Sequence, residues 1–327
     1  MDYLHNHFIA PGSGFVITPD GQLAIDFSQM PTDKFEEMLQ QLRVPIWLSK
    51  NTAWYVDGEN GSDVVTGVQD KGQTLATAFK TVNAAAQFVC SNYNFGSFQA
   101  SIRITDGEYP ESIILPYYNS TTGFLSLYGA ETWGLGETTI KMTNGTGFTI
   151  SAQTGGGRTN VNGIHLVREL DTSGTSTNGK GCIEINSGAS VYIYGGSLNV
   201  FEKLDSVGSP QLVRARGGQL NIQQAITFTA TSNKALSNIY GLYVDNGSGN
   251  ISHNGDVSVS GNFGVFCRVD GGRFQRSSAN PIFIPVGTVT GTRYVISSYG
   301  VIATRGGGSN FFPGDAPGNI QANNQYT

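Results

Sequence analysis

The chain has 327 residues, a net charge of −5 and only 13% charged residues, about half the share of an ordinary soluble domain. Its 44 glycines are roughly double the usual share, which argues against helical bundles, coiled coils and doubly wound α/β enzymes. With 39% hydrophobic and 11% aromatic residues the chain can build a core, so the composition predicts a large, turn-rich all-β protein rather than disorder.

Charge and cysteine content argue against several classes of partner. The isoelectric point is near 5.4 and no run of Lys or Arg occurs, so no nucleic-acid or anionic-membrane partner is expected. Cys90, Cys182 and Cys267 lie far apart without metal-ligand spacing, which favours small core side chains. No signal peptide or membrane span is recognisable, so we expect synthesis in the cytoplasm, no membrane insertion and no cofactor.

Residues 1–50 form the first of three zones. The alternating segments 15–18 and 22–27 flank a Pro-Asp-Gly turn, which predicts a β-hairpin. A helix is predicted over 33–43, with an apolar stripe of Phe35, Met38, Leu39 and Leu42. So short a segment cannot bury these side chains alone, so this zone is predicted to dock on a partner.

Residues 51–100 form the second zone. A strand is predicted at 54–58, followed by a polar loop at 59–63 that lacks the order of a calcium-binding loop. A helical stretch is predicted over 77–89, with Phe79, Val82, Ala86 and Val89 on one face.

The third zone, residues 101–327, alternates short β segments with turns rich in Gly, Asn and Ser. Five segments stack on their closing glycines, at 188, 218, 247, 271 and 300, which are 30, 29, 24 and 29 residues apart. Second alternating strands follow at 191–193, 220–222, 273–275 and 301–303. This period fits one turn of a parallel β-solenoid with two or three strands, because a propeller blade would need roughly 40–50 residues.

Three segments carry a resemblance to known proteins. Residues 54–63 (WYVDGENGSD) and 78–85 (AFKTVNAA) resemble the entry and capping helix of a pectin-lyase-like right-handed parallel β-helix. Residues 26–36 (DFSQMPTDKFE) and 306–314 (GGGSNFFPG) resemble the two ends of bacteriophage and prophage tail fibre proteins. The resemblance implies a homotrimer in the virion, attached to tail or baseplate proteins through residues 1–50, whose β-helix body faces a bacterial surface.

Enzymatic β-helices of this kind cut polysaccharides, and glycoside hydrolysis needs two carboxyl groups across the scissile bond. Two pairs are close in sequence, Glu202 with Asp205 and Glu169 with Asp171, and any catalysis is predicted to depend on one of them. The stacked segments place Glu184 beside Arg214, put Asn186, Arg216, Asn246 and Asp270 in one corner column, and bring no two carboxylates into adjacent turns. His165 is expected on the outer side of a strand, and His253 in an Asn/Gly turn.

Exposed aromatic side chains are the better candidates for ligand contact. Sugars bind to aromatic faces together with amide and hydroxyl groups, and tyrosines occur here among many Asn, Ser and Thr. The candidate binding residues are Tyr117, Tyr118, Trp133, Tyr192, Tyr194 and Tyr243.

The function expected from these observations is attachment of a virion to a host-surface polysaccharide or lipopolysaccharide, without a need for catalysis. Two alternatives stay open: a polysaccharide-degrading glycoside hydrolase of the same shape, and a purely structural fibre or adaptor that contacts no receptor.

Overall fold

The computed structural model describes residues 15–17, 23–25, 45–65, 70–130, 137–143, 148–150, 157–170, 181–202, 209–224, 226–234, 237–245, 247–277 and 281–327. The chain divides into two compact units, Met1–Ile46 and Trp47–Thr327.

The first unit contains the predicted hairpin. Strands β1 (Phe15–Ile17) and β2 (Leu23–Ile25) pair antiparallel, with Phe15 opposite Ile25 and Ile17 opposite Leu23. The hairpin prediction is therefore confirmed. The helix predicted over 33–43 lies outside the described residues.

The remaining strands, most of them short, pair almost entirely in parallel, and only β22 and β24, with 14 and 15 residues, are long among the described strands. In chain order they are β3 (Ile46–Trp47), β4 (Thr52–Val56), β5 (Tyr93–Asn94), β6 (Gln99–Ile104), β7 (Gly107–Tyr109), β8 (Ile114–Leu115), β9 (Phe124–Tyr128), β10 (Thr138–Thr143), β11 (Phe148–Ile150), β12 (Thr159–Asn162), β13 (Ile164–Leu170), β14 (Gly181–Asn186), β15 (Ser190–Tyr194), β16 (Ser197–Glu202), β17 (Gln211–Arg216), β18 (Gln219–Ile222), β19 (Ile226–Ser232), β20 (Tyr240–Asp245), β21 (Asn250–His253), β22 (Val257–Asp270), β23 (Arg273–Arg276), β24 (Phe283–Ser297), β25 (Val301–Ala303), β26 (Asn319–Ile320) and β27 (Gln325–Tyr326).

Most of these strands form three parallel ladders, in which paired strands are two or three apart in chain order, while β3 and β5 pair only with each other. The first ladder runs β4-β6-β9-β12-β15-β18-β21-β23-β25-β27. The second runs β7-β10-β13-β16-β19 and continues into the first half of β22, and the third runs β8-β11-β14-β17-β20 and continues into its second half. Because β22 belongs to both, the second and third ladders join into one curled sheet. This repeating order is compatible with the expected β-solenoid.

The predicted repeat is confirmed by the register. Glu184, Arg214, Tyr243 and Arg268 are successive partners along the third ladder, so the five stacked segments lie on neighbouring strands. The predicted second strands are β15, β18, β23 and β25 of the first ladder. One detail was wrong: the register partner of Arg216 is Asp245, not Asn246.

Alternation of side chains places the core inside the ladders. On the first ladder, Leu125, Val191, Leu220, Ile251 and Phe274 belong to one column of register partners, and all are fully buried. Residues one position along each strand point to the opposite face. Each ladder therefore has an apolar inner face and an outer face that is free to carry function.

The α-helix begins later than the sequence predicts. A short 3-10 helix covers Leu75–Thr77, and α1 covers Val82–Asn92, so Phe79 precedes α1 and forms an isolated bridge with Val56. Polar groups explain the start: the Thr81 hydroxyl accepts a hydrogen bond from the Ala84 N–H, and the Glu111 carboxylate accepts from the Val82 and Asn83 N–H groups. The side chains of α1 that are buried include Val82, Ala86 and Val89.

Candidate functional site

The outer face of the first ladder carries a continuous set of polar and aromatic side chains, which we call the first-ladder face. One of its columns of register partners runs Ser101, Ser126, Asn160, Tyr192, Asn221, Ser252 and Gln275. Tyr192, Asn221 and Gln275 are half-buried, whereas the other four are buried. A second column runs Tyr55, Arg103, Tyr128, Asn162 and Tyr194. Neighbouring strands are about 4.8 Å apart, so these groups form regular rows along the sheet.

Two grooves open on this face. The first has a volume of about 410 Å³ and is lined by Asn51, Thr52, Ala53, Gln99, Ser101, Arg103 and Tyr128. The amide of Gln99 donates a hydrogen bond to the Tyr128 hydroxyl at 3.0 Å, and the Arg103 guanidinium lies 6.0 Å from the centre of the Tyr55 ring. The groove therefore combines an aromatic edge, a cation and amide and hydroxyl groups.

The second groove has a volume of about 320 Å³ and repeats the same chemistry. Its lining includes Arg158, Ser190, Tyr192 and Gln219, together with the small residues of a corner. The Arg158 guanidinium lies 5.0 Å from the ring centre of Phe124 and 4.7 Å from that of Tyr192. Contact with two rings fixes the direction of this planar cation.

The six predicted binding residues differ in position and burial. Tyr192 and Tyr194 lie half-buried on β15, on the first-ladder face. Tyr117 is 51% exposed and lies outside the strands of that face. Tyr118 is 1% exposed: it packs on Phe95 at 4.7 Å and donates its hydroxyl proton to the Arg158 carbonyl, so the expected exposure is wrong. Burial also raises the pKa of Tyr118. Trp133 lies outside the described residues.

Tyr243, the sixth, belongs to an ion network on the third ladder. Arg214 forms a salt bridge of 2.6 Å with Asp245, and Arg268 forms one of 2.8 Å with Asp270. The Tyr243 hydroxyl donates to Asp270 at 3.0 Å. Burial, together with the Asp270 charge, raises the pKa of Tyr243 to about 12, so this phenol stays protonated at neutral pH.

This network corrects one expectation about carboxylates. Val244 and Val269 are register partners, and Asp245 and Asp270 each come next along their strands, so two carboxylates do lie on adjacent strands. Sequence alignment missed this because it placed Asn246, not Asp245, in the corner column. The Arg214–Asp245 pair joins β17 to β20 and the Tyr243–Asp270 hydrogen bond joins β20 to β22, so the network connects three neighbouring strands, while Arg268 binds Asp270 within β22.

The four predicted catalytic residues are only partly described. Glu202 is buried, with its carboxylate 2.7 Å from the Lys234 ammonium and 2.7 Å from the Ser232 hydroxyl. Glu169 is about one-third exposed and forms a salt bridge of 3.2 Å with Lys141. Asp205 and Asp171 lie outside the described residues, so neither predicted pairing is tested and both stay predictions.

The structure also locates the two histidines of the predicted β-solenoid, His165 and His253. His165 lies on β13, half-buried, with its Nδ1 2.8 Å from the Ser197 hydroxyl, as expected for the outer side of a strand. His253 is not in a turn: it ends β21, is fully buried and stacks on Phe283 at 4.4 Å. Burial lowers the pKa of His253 to about 4, so it is neutral at physiological pH.

Cys90, Cys182 and Cys267 are buried free thiols, and burial raises the pKa of each. In the parts of the chain that the structure describes, no cluster of His, Cys, Asp or Glu has metal-binding geometry. No helix among those residues has the length and apolar character needed to cross a bilayer.

No family model, no curated protein and no solved structure matches the chain.

The sequence signal for the first-ladder face was available but weak. Tyr192 and Tyr194 were predicted because they are aromatic residues near turns rich in Asn, Ser and Thr. The roles of Arg103 and Arg158 were not predicted, because their proximity to aromatic rings depends on the register between strands, which no local pattern reveals.

Proposed function

We propose that this chain is the receptor-binding subunit of a phage tail fibre or tailspike, built as a right-handed parallel β-helix, and that it binds a host-surface glycan on the first-ladder face. Binding, not bond cleavage, is the proposed activity. Residues 26–36 and 306–314, which resemble the ends of tail fibre proteins, support the virion assignment.

The observation that carries the glycan assignment is the chemistry of the two grooves. Each presents a tyrosine beside a glutamine and a serine: Tyr128 with Gln99 and Ser101, and Tyr192 with Gln219 and Ser190. A pyranose has apolar C–H faces and a hydroxyl rim, so it needs an aromatic surface with amide and hydroxyl partners beside it. The two columns extend across eight strands, from Tyr55 on β4 to Gln275 on β23, which suits a linear polysaccharide.

The experiment compares labelled full-length protein on host and non-host cells, followed by purified surface polysaccharide from the host. We expect saturable binding that falls at least ten-fold in the double variant Tyr192→Ala, Tyr194→Ala. Phe201→Ala is the matched control, because Phe201 is an exposed aromatic side chain on β16 of the second ladder. Equal binding by the double variant would overturn the assignment of the face.

The hydrolase alternative is tested in the same preparation. Release of oligosaccharide from the bound polysaccharide would make the protein a depolymerase, and Glu202→Gln or Glu169→Gln should then slow the release. Intact polysaccharide after prolonged incubation supports binding alone. Full adsorption of phage in the presence of excess purified protein would favour the structural adaptor instead.

A further inference from the structure

The first-ladder face is distinguished from the rest of the molecule by its charge. All ten strands of the first ladder are described, and they contain neither Asp nor Glu, although the whole chain has 24 acidic residues. They do contain Arg103 and Arg273 at outward positions, and Arg158 directly precedes β12. Carboxylates occur instead on the other two ladders, for example Glu184, Asp245 and Asp270. An acidic protein therefore has one face whose strands carry only positive charge.

The two grooves each hold one of these cations. Arg103 lines the first groove and Arg158 the second, each beside a tyrosine. In the described ranges Arg158 forms no ion pair with a carboxylate, and its buried Nε–H has no hydrogen-bond acceptor. Arg214 and Arg268 on the third ladder are, by contrast, both bound to aspartates.

We propose that the glycan bound by this face is acidic, a linear polysaccharide with carboxylate groups that pair with Arg158. This inference rests on the proposed function and specifies its ligand class. A guanidinium fork matches a carboxylate in plane and spacing, and the aromatic contacts of Arg158 hold that fork in place.

The test uses the full-length protein and a panel of bacterial surface polysaccharides of known composition, acidic and neutral. Each acidic polysaccharide that binds is also offered after its carboxyl groups have been reduced to alcohols. We expect binding only to acidic members, at least ten-fold weaker binding after reduction, and weaker binding as salt rises.

Substitutions test whether binding of the acidic polysaccharide depends on the arginine in the second groove. Arg158→Gln should weaken binding of the acidic polysaccharide at least ten-fold, and Arg158→Lys should weaken it less because the charge remains. Arg216→Gln removes the same charge from an exposed position on the third ladder and should change nothing. Thermal unfolding of each variant checks that the fold is retained.

The outcomes separate the two proposals. If a carboxyl-reduced polysaccharide binds as tightly as its parent, or if Arg158→Gln binds normally, the acidic-ligand inference is wrong and glycan binding stands. If single-stranded DNA or an acidic peptide binds as tightly as the polysaccharide, the face is a general anion surface and the inference is also wrong. If no polysaccharide binds, the proposed function itself fails.

Discussion

Glu202 and Glu169, both predicted as candidate catalytic residues, differ in burial. This difference determines how much a substitution of each should change the free energy of unfolding. Glu202 is fully buried against Lys234, whereas Glu169 and its partner Lys141 are each about one-third exposed. Removing one charge from a buried pair leaves the other without compensation, while an exposed pair contributes little.

We therefore expect Glu202→Gln to lower the free energy of unfolding by about 3 kcal/mol, because it places a neutral amide opposite the half-buried Lys234 ammonium. The matched change Glu169→Gln should lower it much less. Urea denaturation followed by circular dichroism measures both. Equal, small effects of the two variants would show that the buried pair does not stabilise the fold.

His253 predicts a dependence of stability on pH. Its pKa falls from the usual 6.5 to about 4 in the folded protein, chiefly through burial and also through repulsion by Arg276. The unfolded chain therefore binds more protons than the folded one between these values, so stability falls as the pH drops from about 6.5 to 4. The free energy of unfolding that is lost over this whole pH range amounts to roughly 3 kcal/mol.

Two substitutions test the role of His253. His253→Phe and His253→Leu both remove the titrating group from a cluster that includes Phe274 and Phe283. Both should show a smaller loss of unfolding free energy between pH 6.5 and 4 than the unsubstituted protein. An unchanged loss in both variants would assign the acid sensitivity to other groups.

On the scale of strands, the long strand β22 changes direction at a glycine. Gly261 has a φ of 98°, and a Cβ added there would overlap the carbonyl oxygen of Ala230 on the neighbouring strand. Gly287 in β24 has a φ of 78° but open space around it. The two positions share a left-handed backbone and differ in how closely the next strand approaches.

Gly261→Ala should therefore lower the free energy of unfolding by about 3 kcal/mol, through backbone strain and overlap together. Gly287→Ala should cost about 1 kcal/mol, from the backbone conformation alone. Thermal and urea unfolding compare the two variants. Similar losses of unfolding free energy in the two variants would show that the close approach of the strand carrying Ala230 does not constrain β22 at Gly261.

Strand positions were well predicted from the sequence, because alternation of apolar residues depends only on neighbours along the chain. The stacked segments, for example, correspond to β14, β17 and β20. Helix α1 was predicted five residues too early, since its start depends on Glu111, which is distant in sequence. The grooves were not predicted, because Arg158 meets Phe124 and Tyr192 only through the register of three strands.

At the scale of the whole molecule, the chain divides into two compact units. The compact units separate after Ile46, and all three ladders belong to the second unit. Leu48 is buried and its N–H donates a hydrogen bond to the Asn94 carbonyl, so the body already includes residues just before 50. A deletion that removes only the first unit should therefore end at residue 46, not at residue 50.

The final prediction is that residues 1–46 attach the protein to the virion and that the full chain is a homotrimer. The first 50 residues carry ten apolar side chains on a hairpin and a predicted helix, more than so short a segment can bury alone, and three copies or a docking partner would remove them from water. A protein of residues 47–327 should keep the β-sheet circular dichroism spectrum and bind polysaccharide, yet be absent from phage particles grown with it. Light scattering of the full-length protein should give three times the 34.8 kDa chain mass. A monomeric full-length protein would refute the trimer, and particles that incorporate the truncated protein would refute the attachment role.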